Sequence, residues 1–148
     1  MDKYMFIGEF QHNIDEKGRV AVPAKFRRQI SGGAIITRGL DDCLFIFTKK
    51  DWEVFAQKLI TTPPLSQKDP RAYVRFFMSG ASDVDLDTQG RVLIPDYLRS
   101  FAKLKKSAKV IGVYNRMEIW DEAAWRQYKA KIEGSSEEIA EKMADLGI

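Results

Sequence analysis

Two short segments carry the same polar side chains at the same spacing. Residues 14–20 read IDEKGRV and residues 86–92 read LDTQGRV. Each sets a carboxylate, Asp15 or Asp87, four positions ahead of a guanidinium, Arg19 or Arg91, with Gly18 or Gly90 immediately before the arginine. An aspartate can accept from backbone amides ahead of it and glycine accepts positive φ, so Asp-x-x-Gly marks a tight turn. An arginine leaving such a turn can pair with phosphate, or read O6 and N7 of guanine with two hydrogen bonds in the major groove. The aspartate admits two readings. It either shapes the turn alone, or also holds the guanidinium in one orientation as a bidentate partner. Gly18 and Gly90 read as conformational. Arg19 and Arg91 also have a plainer reading, as ordinary exposed strand residues.

More polar residues gather around these turns. Lys17 sits in the first and Gln89 at the matching place in the second, while Lys25, Arg27 and Arg28 follow the first turn closely. From Ile14 to Ile30 five basic residues stand against two acidic ones, and from Leu86 to Lys106 the ratio is again five to two. From Met117 to Ile148 it reverses, with four basic against eight acidic. The formal net charge of +3 therefore conceals basic turns and an acidic tail. Grouped lysines and arginines neutralise a phosphate backbone and release its counterions. Lys25, Arg27 and Arg28 read equally well as a solvated helix face.

Other chemistries find little support. No nucleophile–base–orienter set is visible: with one histidine, His12, and one cysteine, Cys43, the usual triads would need the rare variants. No Gly-rich phosphate loop of the P-loop or Rossmann type is present. His12 lacks companions at ligand spacing, so neither a metal nor a cofactor is expected, nor is a small-molecule substrate. Cys43 opens an apolar run and reads as an inert packed residue, and a lone cysteine suits a reducing cytosol. Trp52, Trp120 and Trp125 read as core or subunit-interface residues rather than base-stacking platforms. The N-terminus lacks the pattern of a signal peptide, and no apolar run approaches the length of a membrane span.

These residues are positioned by a duplication. Asp15, Gly18, Arg19, Val20, Pro23 and Arg27 recur 72 residues on as Asp87, Gly90, Arg91, Val92, Pro95 and Arg99. Ile46 and Trp52 recur 73 residues on as Ile119 and Trp125. In each copy the turn joins apolar-alternating segments, FIGEFQHNI to RVAVP and ASDVDL to RVLIP, which predicts a β-hairpin. Pro23 and Pro95 suit the start of a short helix. A second strand pair follows, AIITR with CLFIF and KVIGVY with RMEIW, linked by the turn-like GLDD and Asn115. Thr48 or Asp51, and Asp121 in the second copy, are candidate caps for the tryptophan-bearing helices. Each copy thus reads as ββαββα. The assignment is a first module over residues 5–60, a linker loop and helix over 61–80, a second module over 81–132, and a C-terminal helix or tail over 133–148. Units this small bury too little alone, so the two pseudo-symmetric copies are expected to share one core in an α+β, β-rich fold.

Taken together, MFIGEFQHNIDEKGRVAVPAKFR, FFMSGASDVDLDTQGRVLIPDYLR and GVYNRMEIWDEAAW closely resemble the MraZ family over nearly the whole chain. Each copy carries that family's Asp-x-x-x-Arg signature inside a longer frame that ends in proline. Departures are small: Ile14 stands where leucine is usual, and four residues, MDKY, precede the usual start. The resemblance implies an AbrB-like (SpoVT-AbrB, swapped-hairpin) fold and a ring-shaped homo-oligomer. It also implies regulation, with repression the expected sign, of a cell-division and cell-wall gene cluster that includes the regulator's own promoter.

The expected partner is double-stranded DNA carrying repeated elements, bound by a cytoplasmic, nucleoid-associated protein that is not an enzyme. The alternative is an antitoxin-like module of the same fold that captures a protein with its acidic segment from Gly134 onward. That segment is short for a wrapping arm.

Overall fold

Strand pairing decides this fold, because much of it is not local. In the computed structural model, which describes residues 5–148, the chain begins with β1 (Phe6–Asn13), β2 (Arg19–Ala21), a 3₁₀ helix (Ala24–Ile30), β3 (Ala34–Arg38), β4 (Leu44–Thr48) and α1 (Lys49–Thr61). After α2 (Lys68–Gly80) the order repeats as β5 (Ser82–Val84), β6 (Arg91–Leu93), α3 (Asp96–Phe101), β7 (Ser107–Tyr114), β8 (Met117–Asp121) and α4 (Glu122–Gly134). Helix α5 (Ser136–Met143) and a 3₁₀ turn (Ala144–Leu146) close the chain, so the segment after Gly134 is helical rather than a frayed tail. The residues MDKY ahead of the first module lie outside the described residues.

A six-stranded antiparallel sheet runs β1-β7-β8-β4-β3-β5, and β2 with β6 forms a separate two-stranded ribbon. The hairpins β3–β4 and β7–β8 form as their sequences predict. The other two expected hairpins do not. β1 pairs along all eight residues with β7, β5 pairs with β3, and β2 pairs with β6. Between β1 and β2 only the Ile14–Val20 bridge remains. Length explains the exchange. The Asp-x-x-Gly turn reverses the chain, but β2 lasts three residues and cannot satisfy an eight-residue β1. A strand of matching length from the other copy can.

The sheet is covered on both faces. Along β4 every residue is buried, with Leu44 and Ile46 facing one side and Phe45 and Phe47 the other. Such a continuous apolar run is the signature of a strand buried on both faces. The first face, with Ile36, Val110 and Ile119, packs on the 3₁₀ helix, α3 and the underside of the ribbon through Phe26, Leu98, Val20 and Val92. Both copies therefore contribute to one core. The second face carries Phe45, Phe47 and Trp120 beneath α1, α2 and α4, and gathers Trp52 and Trp125 as well. Trp120 is thus buried, and Trp52 and Trp125 are half-buried against the same cluster. Cys43 is buried immediately ahead of β4, and burial pushes its thiol pKa far up, leaving it inert.

Local chemistry sets the helix ends. Thr48 caps α1 by accepting from the Asp51 amide at 3.0 Å, and Asp121 caps α4 by accepting from the Ala124 amide at 3.1 Å. Pro23 and Pro95 occupy the cap positions of the 3₁₀ helix and α3. Helix α2 starts ahead of the amphipathic run that begins at Arg71, because Pro70 falls in the first turn, where a missing N–H costs nothing. Its C-terminal carbonyls are taken up by the body of the protein. Thr37 Oγ1 donates to Phe77 O at 2.6 Å, Arg38 to Phe76 O at 2.8 Å, and Tyr97 to Gly80 O at 2.9 Å. None of the described helices is long and apolar enough to cross a membrane.

Phe77 of α2 is buried and meets the rings of Phe45, Phe55, Tyr73 and Phe76. The linking helix is therefore core structure. Phe77→Ala should destabilise the protein by about 3–5 kcal/mol, measured by urea unfolding. A loss below about 1 kcal/mol would mean that α2 merely tethers the copies.

Candidate nucleic-acid interface

The ribbon gathers the two motifs. In its register Arg19 faces Leu93, Val20 faces Val92, and Ala21 faces Arg91. Side chains alternate between faces along a strand, so Val20 and Val92 point inward together. Both are almost fully buried. Arg19, Ala21, Arg91 and Leu93 consequently share the outer face, related by a local pseudo-two-fold axis. Leu93 is 55% exposed there, and the arginine side chains remain 32% and 25% exposed.

Each turn is built around its aspartate. Asp15 Oδ1 accepts from the amides of Lys17 at 3.0 Å and Arg19 at 2.9 Å, and Oδ2 accepts from Arg19 Nε at 2.7 Å. Asp87 repeats this with the amides of Gln89 and Arg91, both at 2.9 Å, and with Arg91 Nε at 2.8 Å. Gly18 and Gly90 adopt φ of 89° and 76°, the left-handed values that close the turns. Each aspartate therefore does more than shape its turn, because it also holds the guanidinium. The bidentate fork is not realised, because one carboxylate oxygen serves the backbone. The guanidinium is held by Nε alone. Among the described residues no protein acceptor bonds to either terminal nitrogen of Arg19, while Arg91 Nη1 also approaches Asp15 Oδ2 at 3.6 Å across the copies.

The remaining candidates separate. Lys17 and Gln89 are exposed at the turn tips, and Arg28 is exposed on the 3₁₀ helix. Lys25 projects its ammonium over the rings of Phe10 and Phe26, at 5.7 and 5.9 Å from their centres. Arg27 is half-buried and donates from Nε to its own Val22 carbonyl at 2.9 Å. Its side chain lies over Gly90 of the opposite turn, where a Cβ would overlap the guanidinium. Burial and the Arg27 charge together hold the His12 imidazole below its usual pKa. The sequence reading did not single out Arg99, whose side chain lies over Gly18 in the same way and is paired with Asp96. Its correspondence to Arg27 in the repeat was the available signal. Lys105 and Lys106 are likewise exposed beside Asp15, the Lys106 carbonyl accepting from the Ile14 amide at 2.8 Å.

The geometry defines a tandem swapped-hairpin protein of the AbrB-like class, in which one two-stranded ribbon is assembled from both copies. The model of the family described as "MraZ protein, putative antitoxin-like" matches twice, over residues 5–76 and 77–147. Similar proteins include one from Desulforamulus reducens, 49% identical over 142 residues that cover 96% of this chain and 99% of the relative. Others come from Alkaliphilus oremlandii, 51% identical, and Natranaerobius thermophilus, 48% identical, each over 97% of this chain and the whole of the relative. All three bear the name Transcriptional regulator MraZ. The chain belongs to the MraZ family.

The turns carry a pH signature. Backbone hydrogen bonds from the following arginine amide, then the guanidinium itself, hold the Asp15 and Asp87 carboxyls below their ordinary value of 3.8. A depressed carboxyl stabilises the folded turn fully above the unfolded value and loses that contribution as pH falls through the folded one. The amide resonances of Lys17, Arg19, Gln89 and Arg91 should therefore hold steady above about pH 4 and move together below it. Movement centred above the carboxylate range would assign the titration to a group other than these aspartates.

Proposed function

We propose that this protein is a DNA-binding transcriptional regulator that docks the outer face of the β2–β6 ribbon into the major groove. The supporting observation is the pair Arg19 and Arg91 on the outer face of one ribbon, each tethered at Nε by its own aspartate, with the terminal nitrogens of Arg19 left without a protein acceptor among the described residues. A two-stranded ribbon fits the major groove, and an arginine presented end-on matches guanine O6 and N7. Lys17, Gln89, Lys25 and Arg28 then contact backbone or neighbouring bases, and Asp15 and Asp87 aim the readers. The relatives' name supports the regulatory role. We extend it to repression of a cell-division and cell-wall cluster, the chain's own promoter included, in the cytoplasm at the nucleoid. The module assignment over residues 5–60 and 81–132 belongs to the same reading. The antitoxin-like alternative rests on the exposed Ile139, Met143, Leu146 and Ile148 of the C-terminal segment, which is too short and too regular for an arm that wraps a partner.

Arg19→Ala and Arg91→Ala should each weaken specific binding about tenfold or more and leave thermal unfolding unchanged. Lysine at these positions keeps the charge but loses the planar fork, so it should restore non-specific affinity only. A gel shift against the chain's own upstream DNA checks this. Normal specific binding by both alanine variants would remove the ribbon from the interface.

One ribbon offers two base readers, too few for a selective operator, so several subunits must act together. The outer strand β1 is a sheet edge, and Met5, Ile7 and Tyr114 beside it are exposed apolar groups suited to a neighbouring subunit. A closed ring built this way presents successive ribbons in the same sense, whereas a two-fold dimer opposes them. The operator should then consist of short direct repeats spaced near one helical turn. Each added repeat is engaged at high effective concentration if the spacing matches. In a spacer series at fixed salt, half a helical turn of extra spacer should cost far more than a change in spacer sequence. Equal affinity for one element and for the array would overturn this.

A further inference from the structure

We infer that Arg27 and Arg99 are reciprocal positioning residues: each clamps the turn of the opposite copy and so aims the arginine that turn presents. The inference rests on the ribbon being the reading surface. It removes Arg27 from the phosphate contacts and gives Arg99 a function.

The two environments correspond. Arg27 Nε donates to Val22 O at 2.9 Å, and the Val22 amide in turn donates to Gly90 O at 2.9 Å. The guanidinium thus bonds the carbonyl of the residue whose amide ties its own copy to the other turn, and it packs closely against Gly90. In the other direction the Ile94 amide donates to Gly18 O at 2.9 Å. Arg99 Nη1 donates to Ile94 O and also to Lys17 O, at 3.3 Å, inside the first turn. A side chain at position 18 or 90 would have to displace these guanidiniums, so glycine there permits the close approach as well as the positive φ.

The consequence is crossed control. The aim of Arg91 is set from its own copy by Asp87 and from the first copy by Arg27. The aim of Arg19 is set by Asp15 and by Arg99 of the second copy. A planar guanidinium can donate along its edge while its face covers a backbone turn. A lysine ammonium cannot do both.

The experiment is a double-mutant cycle in the full-length protein. Arg27→Ala should weaken specific binding about tenfold or more, yet add little once Arg91 is alanine, and should combine additively with Arg19→Ala. Arg99→Ala should show the opposite pattern. Arg27→Lys should behave like Arg27→Ala, and the slope of log affinity against log salt should stay unchanged. A lost phosphate contact would lower that slope by about 0.9 and would be rescued by lysine. Rescue by lysine, a reduced slope, or additivity with both ribbon arginines would each overturn the inference. Hydrogen exchange without DNA separates it from the docking proposal. Arg27→Lys should speed exchange at Val22 and in the 87–91 turn while sparing the 15–19 turn. Uniform or absent change would overturn the clamp even if the ribbon reads DNA. If Arg27→Ala does not fold, Arg27→Lys, which preserves the side-chain volume, decides by the same readouts.

Discussion

The pairing of β2 with β6 is the constraint on which the rest depends. Each strand supplies three residues, so the ribbon cannot hold by its ladder bonds, each contributing a net of about 0.5–1.5 kcal/mol. Val20 and Val92 on its underside are almost fully buried, and each such burial contributes about 1.5–3 kcal/mol. Burial therefore fixes the register. A slip of either strand by one residue would turn its valine to solvent and its arginine into the core. The arrangement that the core demands is the one that presents Arg19 and Arg91 outward together, so the chemistry of the outer face is set by packing beneath it.

The ion pairs on that face do a different job. Asp15–Arg19 and Asp87–Arg91 are a third exposed or thereabouts, and pairs of that kind add little to stability, typically under about 1 kcal/mol. Their effect is geometric. One carboxylate oxygen closes the turn on its amides while the other takes Nε, so turn shape and arginine direction are determined by a single side chain. Because Nε is the only side-chain nitrogen engaged in the first motif, the terminal nitrogens of Arg19 have no protein acceptor among the described residues. A bidentate fork would have held the guanidinium more firmly and left less of it to contact a base.

Much of this was legible in the sequence. The duplication, the ββαββα order, the hairpins of β3–β4 and β7–β8, the capping by Thr48 and Asp121, and the turns at Asp15 and Asp87 all follow from local spacing. The exchange of β1, β2 and β5 between copies does not. A strand alternates in the same way whether its partner lies five residues away or a hundred, and only the mismatch in length between β1 and β2 hints at the swap. The candidate contacts were separable only in three dimensions. Lys25, Arg27 and Arg28 occupy successive parts of one short helix, but Lys25 reaches back over Phe10 and Arg27 crosses to Gly90. Only Arg28 is left without a ring or turn to cover. Neighbouring positions on a tight 3₁₀ helix point in different directions, and composition alone gives no sign of which meets the other copy.

Pseudo-symmetry also has limits that matter physically. The two turns match in aspartate, glycine and arginine, but Lys17 answers to Gln89. The loop beside the first turn carries Lys103, Lys105 and Lys106, whereas the equivalent stretch beside the second turn is Ser31-Gly32-Gly33, near the carboxylate of Asp85 and the ammonium of Lys49. The Arg91–Asp15 contact at 3.6 Å gives the first aspartate a share in both arginines, a role Asp87 lacks. A backbone with near two-fold symmetry therefore supports an asymmetric distribution of charge. On the docking proposed above, turning the ribbon end for end on a duplex would exchange a lysine-rich flank for one with less positive charge, so the two orientations would be inequivalent even though Arg19 and Arg91 superpose. Duplication supplied two identical heads, and divergence of the residues around them gives the surface a direction.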